Sequence, residues 1–460
     1  MKHLHFYLFI LFFIGIGCGD SSDDPVDNGG KNPYLKINTN EKLVANAAGS
    51  FDIYIESNTS WKIESKSSWL KPDKNQGNGN MTVKINYETS TAEKRTGIVS
   101  FSRDGASPVE LTVTQSELTF TNPVARAIPD PWIVKHNGAY YLCKAQGDGI
   151  NISKSNKLSQ ITATRSVWKC PVDKGTDKPW NVTNVWAPEL HRIDGKWYIY
   201  YTAGRPHAET NSYTYQRCGV LRAKTDDPMG EWEDMGMLYT GNNYTDGIKP
   251  TKDNTVYAID LGVFQLNKKL YAVWSGYTSA TDSEQKLYIA TMTNPYTISS
   301  NRQVLSAAER PWELISSGTK INEGPAFLKN KDKNKFFVVY SCNGSWTKNY
   351  RLGYVMLSDT VADPMVRSNW TKSNNEAFYR CDNSSTTDGV NGVGHCSFTK
   401  SPDDTEDWIV YHTKNRNDDG WSSGRSMFMQ KIRWNADGTP DMGTPAGWGE
   451  PIAIPSGESQ

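Results

Sequence analysis

Ala187-Pro188-Glu189-Leu190-His191 reads as a strand that opens beside an acidic residue, and the polar turn Asp194-Gly195 leads it into the aromatic-rich strand Lys196-Trp197-Tyr198-Ile199-Tyr200-Tyr201-Thr202. Working outward, the same unit recurs. Its other openings are Asp130-Pro131-Trp132-Ile133-Val134, Ile259-Asp260-Leu261-Gly262-Val263-Phe264, Glu323-Gly324-Pro325-Ala326-Phe327 and His395-Cys396-Ser397-Phe398. Each leads to a second strand, at Ala139 to Cys143, Leu270 to Ser275, Lys335 to Ser341 and Trp408 to His412. The spacing of about 60 to 70 residues leaves room in each unit for four strands and long loops. Five such units make an all-β chain whose residues 119–456 close as a five-bladed β-propeller.

Residues 33–117 carry a different pattern. Ser50-Phe51-Asp52-Ile53-Tyr54-Ile55, Met81-Thr82-Val83-Lys84-Ile85 and Val109-Glu110-Leu111-Thr112-Val113 alternate polar and apolar residues, with turns such as Gln76-Gly77-Asn78-Gly79 between them. Such short alternating strands build a small β-sandwich. Trp61 and Trp69 are expected in its core.

Composition narrows the partners. With 50 basic and 50 acidic residues the chain has no charge field for a phosphate backbone, which excludes nucleic acid as a partner. Lys2 and His3 followed by the apolar run Leu4 to Ile16 form an export signal, too short to span a membrane. Gly15-Ile16-Gly17 before Cys18 resembles a lipoprotein cleavage site, although the usual Leu three positions before the Cys is missing. The expectation is a signal peptide over 1–17 and a lipid-anchored linker over 18–32, with plain cleavage nearby as the alternative. The acidic stretch Asp20 to Asp27 is similar to signals that send lipoproteins to the outer cell surface, and it also reads as a solvated linker. An exported monomer at the outer membrane or cell surface is expected, with the periplasm as the other location. Cys143, Cys170, Cys218, Cys342, Cys381 and Cys396 make an even set in an oxidising compartment, where disulfides form. Their connectivity is not readable, and none has metal-binding spacing.

The repeat also places chemistry. The first strand of each propeller blade lies nearest the axis, so Asp130, Glu189, Asp260, Glu323 and His395 are expected to converge on one funnel. Like charges confined together raise each other's pKa and cost stability, which points to function. Glycoside hydrolysis needs one protonated carboxylic acid and one ionised carboxylate, and a third can tune them. Carboxylates spread over three blades favour the wider separation, roughly 6.5 to 9.5 Å, of an inverting enzyme.

Asn122-Pro123, Pro129-Asp130-Pro131, Trp186-Ala187-Pro188-Glu189-Leu190, Asp194-Gly195-Lys196-Trp197-Tyr198, Asn322-Glu323-Gly324-Pro325 and Gly394-His395, taken in order, resemble glycoside hydrolase family 43 over residues 120 to 454. The resemblance implies that Asp130 is the general base, Glu323 the general acid and Asp260 the group that sets the acid's pKa. It also implies that His395 helps hold a cation at the axis, often calcium, mainly through water. No organic cofactor is implied. One departure stands out, because the middle Asp is often followed by Pro in that family and here by Leu261. Asp246 is the rival for its role. Ser57-Asn58-Thr59-Ser60-Trp61, Ser68-Trp69-Leu70 and Val113-Thr114-Gln115-Ser116 resemble the BACON domain, an immunoglobulin-like module, here read either as a spacer or as a carbohydrate binder.

Candidate substrate-binding residues are Trp132, Trp186, Glu189, Trp274 and Arg425, with Trp346 as a further stacking candidate. For Glu189 a structural hydrogen bond is the competing reading, and for Arg425 a surface ion pair. Trp186 to Gly204 and Gln430-Lys431-Ile432-Arg433-Trp434 with Asp437-Gly438-Thr439-Pro440 are similar to the arabinofuranosidase members. The expected function is an exo-acting α-L-arabinofuranosidase on arabinose- or xylose-containing plant polysaccharide. The inserts Gly204 to Arg217 and Asn343 to Arg351 are read as closing one end of a groove. A β-xylosidase, an endo-arabinanase and a galactan-cleaving enzyme are the alternatives, and a non-catalytic glycan-binding propeller is the reading of a different class.

Overall fold

The computed structural model describes residues 32–458 apart from 117, 176–178, 207–212, 242–254, 317, 384–387 and 422–423. The export signal, Cys18 and Asp246 lie outside the described residues. Two compact units emerge. One holds Gly49–Glu88, Gly97–Thr112 and the segment ending at Glu41; the other holds Lys42–Ala48, Thr89–Thr96 and everything from Val113 onward.

In the small unit, alternation decides what is buried. Along Gly49–Ser57 the side chains of Phe51, Ile53 and Ile55 face inward while Asp52 and Tyr54 face water, the period of a pleated strand with one covered face. This strand pairs antiparallel with Leu35–Ile37 on one side and Met81–Tyr87 on the other. Trp61 and Trp69 are buried as expected. Trp61 donates its indole N–H to the Gly79 carbonyl at 2.9 Å, and its ring occupies the space where a side chain at Gly77 would sit.

The large unit is a ring of five antiparallel sheets. Their innermost strands are Trp132–His136, Thr183–Ile193, Ala258–Leu266, Asn322–Asn330 and Asn391–Lys400, each hairpinned to the aromatic-rich strand read from the sequence. Blade 1 meets blade 5 where Ser397 Oγ donates to the Pro131 carbonyl at 2.9 Å and accepts the Ile133 amide at 3.1 Å. The two ends of the ring are stitched as well. Thr119–Thr121 pairs with Pro451–Ala453, Ala125 bridges Met427, and the Asn122 side chain bonds both backbone groups of Met429. Between blades the largest side chains are fully buried, among them Trp197, Trp274, Tyr340 and Trp408. Burying rings of this size supplies much of the apolar driving force.

The six cysteines among the described residues are all free, so the disulfides that the even set left possible are not formed between them. Cys143, Cys218, Cys342 and Cys396 sit in the packed interior of separate blades as small apolar side chains.

Candidate active site

One backbone device, repeated in every blade, presents the functional side chains. At the start of each inner strand a residue takes a left-handed φ: 50° at Asp130, 39° at Ala187, 54° at Asp260, 57° at Gly324 and 44° at His395. Such a φ costs a residue with a side chain on the order of 1–3 kcal/mol and persists only where its surroundings impose it. The preceding blade does so. Thr202 Oγ1 accepts the Asp260 amide at 3.1 Å, Ser341 Oγ the His395 amide at 2.8 Å and His412 Nδ1 the Asp130 amide at 3.1 Å. Across the kink the pairing with the second strand slips, at Trp186/Glu189, Ile259/Gly262, Glu323/Ala326 and Gly394/Ser397.

This geometry corrects the expectation of one shared register. Asp130, Asp260 and His395 occupy the kink itself, whereas Glu323 lies one residue before it and Glu189 two residues after. Glu189 is accordingly 1% exposed, with Oε2 2.9 Å from His191 Nε2. Its carboxyl is part of the axis packing, and a substrate-binding role does not fit its burial.

Asp130, Asp260 and Glu323 are brought together with Arg425 and His395. Arg425 Nη1 donates to Asp130 Oδ1 at 3.0 Å, and His395 Nδ1 lies 3.3 Å from the same oxygen. Burial pushes the Asp130 carboxyl up, but the Arg425 guanidinium, with His395 and His412, outweighs it and holds the group far below the usual carboxylate range. Burial depresses both imidazoles, His412 to about 4. They are neutral near pH 7, which leaves Arg425 as the lasting positive charge on Asp130.

Glu323 is poised the other way. Burial raises its carboxyl to about 7; hydrogen bonds from Tyr350 and Gln285 restrain the rise, and the Asp130 charge adds to it. Tyr350 Oη donates to Oε1 at 2.8 Å and Gln285 Nε2 to Oε2 at 3.0 Å, fixing both oxygens. Asp260 Oδ2 accepts the Gly324 amide at 3.1 Å, next to Glu323 in the chain. Its carboxyl is raised by burial first, then by Glu323 and Asp130. The arrangement therefore holds one ionised carboxylate opposite two that compete for protons, the division that acid–base catalysis uses.

The aromatic candidates divide. Trp186 is half-buried and packs against Tyr213, with ring centroids 5.6 Å apart. Trp132 and Trp274 are corrected to blade packing: Trp132 lies tilted against the His191 ring and donates to the Leu190 carbonyl, and Trp274 is 0% exposed against Tyr288. Trp346 is half-buried beside Trp421. Sequence reasoning missed Tyr350, Gln285 and His412, which stand in no recognisable motif and reach the site only through the ring closure.

Among the described residues no group of three or more His, Cys, Asp or Glu side chains is spaced to hold a metal ion. His395 already directs Nδ1 at Asp130. A cation caged by protein ligands does not fit these residues.

Residues 120–440 match the profile of the glycosyl hydrolases family 43. The chain belongs to this family. Residues 59–116 match the BACON profile, described as a putative N-terminal binding domain. An extracellular exo-α-(1→5)-L-arabinofuranosidase of Streptomyces avermitilis is 33% identical over 349 residues, 74% of this chain and 66% of that protein. Alpha-L-arabinofuranosidase B of Pyricularia oryzae is 30% identical over 364 residues, 76% of this chain and 68% of that protein. The chain thus spans about two thirds of the length of these relatives. Among solved structures, an α-L-arabinofuranosidase from Lactobacillus brevis superposes with a TM-score of 0.62 at 30% identity, covering 72% of this chain and 98% of that one. Five blades and a carboxylate-lined axis fit a family 43 glycoside hydrolase.

Proposed function

We propose that this family 43 protein is an exported, inverting exo-α-L-arabinofuranosidase that removes terminal arabinose from plant polysaccharide. One observation carries the reading: Asp130 is paired with the Arg425 guanidinium at 3.0 Å, while the nearby Glu323 carboxyl is buried between Tyr350 and Gln285 with no cation bonded to it among the described residues, which favours its protonated form. The names of the relatives described above supply the sugar.

In the reaction, Asp130 takes a proton from a water whose oxygen bonds to the anomeric carbon. The glycosidic carbon–oxygen bond breaks on the opposite face, and Glu323 gives its proton to the departing oxygen. Asp260 orients the acid through the Gly324 amide that it holds, and the charge on Asp130 resists loss of the Glu323 proton. Tyr350 and Gln285 hold the acid in one rotamer, the kind of support that keeps reacting atoms aligned. A cation at the axis would have His395 as a single protein donor and water for its other ligands, and no step above passes through it. Export follows the Lys2 to Ile16 segment, with a lipid on Cys18 tethering the enzyme to the membrane.

The test is product analysis of purified enzyme on linear α-1,5-arabinan, α-1,5-arabinobiose and xylobiose, with the anomer of the first product read by proton NMR. Release of β-arabinose from chain ends supports the reading. Xylose alone, α-arabinose as first product, or internal cleavage of arabinan would each replace part of it.

A further inference from the structure

At the mouth of the funnel stands an aromatic wall with no role in the chemistry above. Trp421 is 68% exposed, the largest apolar side chain so open among the described residues. An indole left in water costs apolar burial and invites association, so an isolated exposed one on a fixed support points to a ligand. The support here is fixed. Lys414 Nζ donates to three carbonyls, those of Trp346 at 2.5 Å and of Asp418 and Gly420 at 2.8 Å. The Gly420 amide adds a bond to the Trp346 carbonyl at 2.8 Å. Two loops from different blades are thereby locked together, and the rings of Trp346 and Trp421 stand 5.8 Å apart at 44°. Trp346 lies back over Gly344, where any side chain would collide with its ring.

The position of this wall says which sugar it meets. The Arg425 guanidinium, bonded to Asp130, lies 5.6 Å from the Trp421 ring centroid, so the wall begins at the site itself. The reacting sugar must sit among carboxylates that are almost entirely buried, 7% exposed at Glu323 and 4% at Asp260. The next sugar is joined through the oxygen that Glu323 protonates and must lie outward, toward the rim. Trp346 belongs to the acid's own blade, in the connection between Lys335–Cys342 and Arg351–Leu357 that ends at Tyr350, the donor to Glu323. On the arabinofuranosidase reading, we infer that Trp421, backed by Trp346, is the stacking platform for the pentose on the leaving-group side of the scissile bond. Held in place before substrate arrives, the ring gains affinity without an ordering cost.

The experiment compares two substrates that share the reacting sugar and differ in the leaving group, α-1,5-arabinobiose and α-L-arabinofuranosyl fluoride, with wild type, Trp421→Ala and Trp421→Phe. For Trp421→Ala, kcat/KM is expected to fall about tenfold on the disaccharide and to stay within about twofold on the fluoride. Trp421→Phe should recover most of the loss. An equal fall on both substrates, or no change on either, overturns the platform while leaving the arabinofuranosidase reading intact. Failure of the wild type to hydrolyse either substrate overturns that reading, and this inference with it.

Discussion

Arg425 reaches across 295 positions of sequence to place Nη1 3.0 Å from Asp130 Oδ1. The contact joins the first and last blades and holds the carboxyl proposed to activate water in its ionised form.

Removing that cation should be visible in the pH profile. In Arg425→Met, burial is no longer outweighed by a guanidinium, so the Asp130 carboxyl titrates at a higher pH. The variant is expected to lose more kcat/KM at pH 5 than at pH 7, measured on arabinobiose. A profile that only scales downward would mean Arg425 does not set the charge on Asp130.

On the proposed mechanism Glu323 must be protonated to work, and its carboxyl lies at about 7. Activity should therefore fall as pH rises through that value. Tyr350 hydrogen-bonds the ionised form and restrains the upward shift, so Tyr350→Phe should move the falling limb to higher pH while reducing kcat. A limb that stays in place would detach Tyr350 from the titration.

The same shift has a cost in stability. Glu323 rises from its ordinary 4.5 to about 7 on folding, so between those values the native state binds more protons than the unfolded chain. Stability must then fall as pH climbs through that window. Glu323→Gln removes the burden and keeps the side-chain shape. Its unfolding free energy should come close to wild type near pH 4.5 and exceed it by about 3 kcal/mol at pH 8, while turnover is lost. Urea titrations at the two pH values measure the gap; a constant difference would sink the argument.

Gly262 is a position where the axis admits no side chain. A methyl there would come 2.3 Å from Glu189 Oε2 and 2.9 Å from the Phe327 ring. Gly262→Ala should cost about 1–3 kcal/mol, seen as a lower Tm. An unchanged Tm would show that Glu189 has room to move.

Behind the acid lies a buried ion pair. Glu313, 0% exposed, accepts Lys372 Nζ at 3.0 Å, the Tyr340 hydroxyl at 2.8 Å and the Asn322 amide at 2.9 Å, and Asn322 immediately precedes Glu323. Lys372→Met leaves that carboxylate unpaired and should cost about 3–5 kcal/mol. Adding Glu313→Gln should restore part of the loss, since a neutral amide needs no countercharge. If the double variant is no more stable than the single, packing and not charge is what the lysine provides.

The ring was legible because its signal is repeated: five openings, five turns and five aromatic strands leave few other ways to bury the rings. Asp130, Asp260 and Glu323 stand out in the sequence for the same reason, each standing at the head of a unit. Trp132 and Trp274 were misread because an aromatic near a strand opening looks alike in sequence whether it faces the funnel or the neighbouring blade. Glu189 was misread by a two-residue offset, which in the pleat takes a side chain from the mouth into the axis packing. Tyr350, Gln285 and His412 carry no local mark; each matters only because of what a different blade brings beside it.

The kinked position at the head of every inner strand turns the ring into five equivalent sockets with different plugs. Asp130, Asp260 and His395 fill three, while Ala187 and Gly324 leave two without a polar side chain. A ring of identical sockets has no front or back, yet displacement at carbon needs a donor facing an acceptor. Direction therefore enters through occupancy alone, with the backbone left as neutral hardware. It follows that Ala187 shares the bent backbone of Asp130, Asp260 and His395 without their polar groups, and that new chemistry at this axis would need a new side chain there more than a new fold.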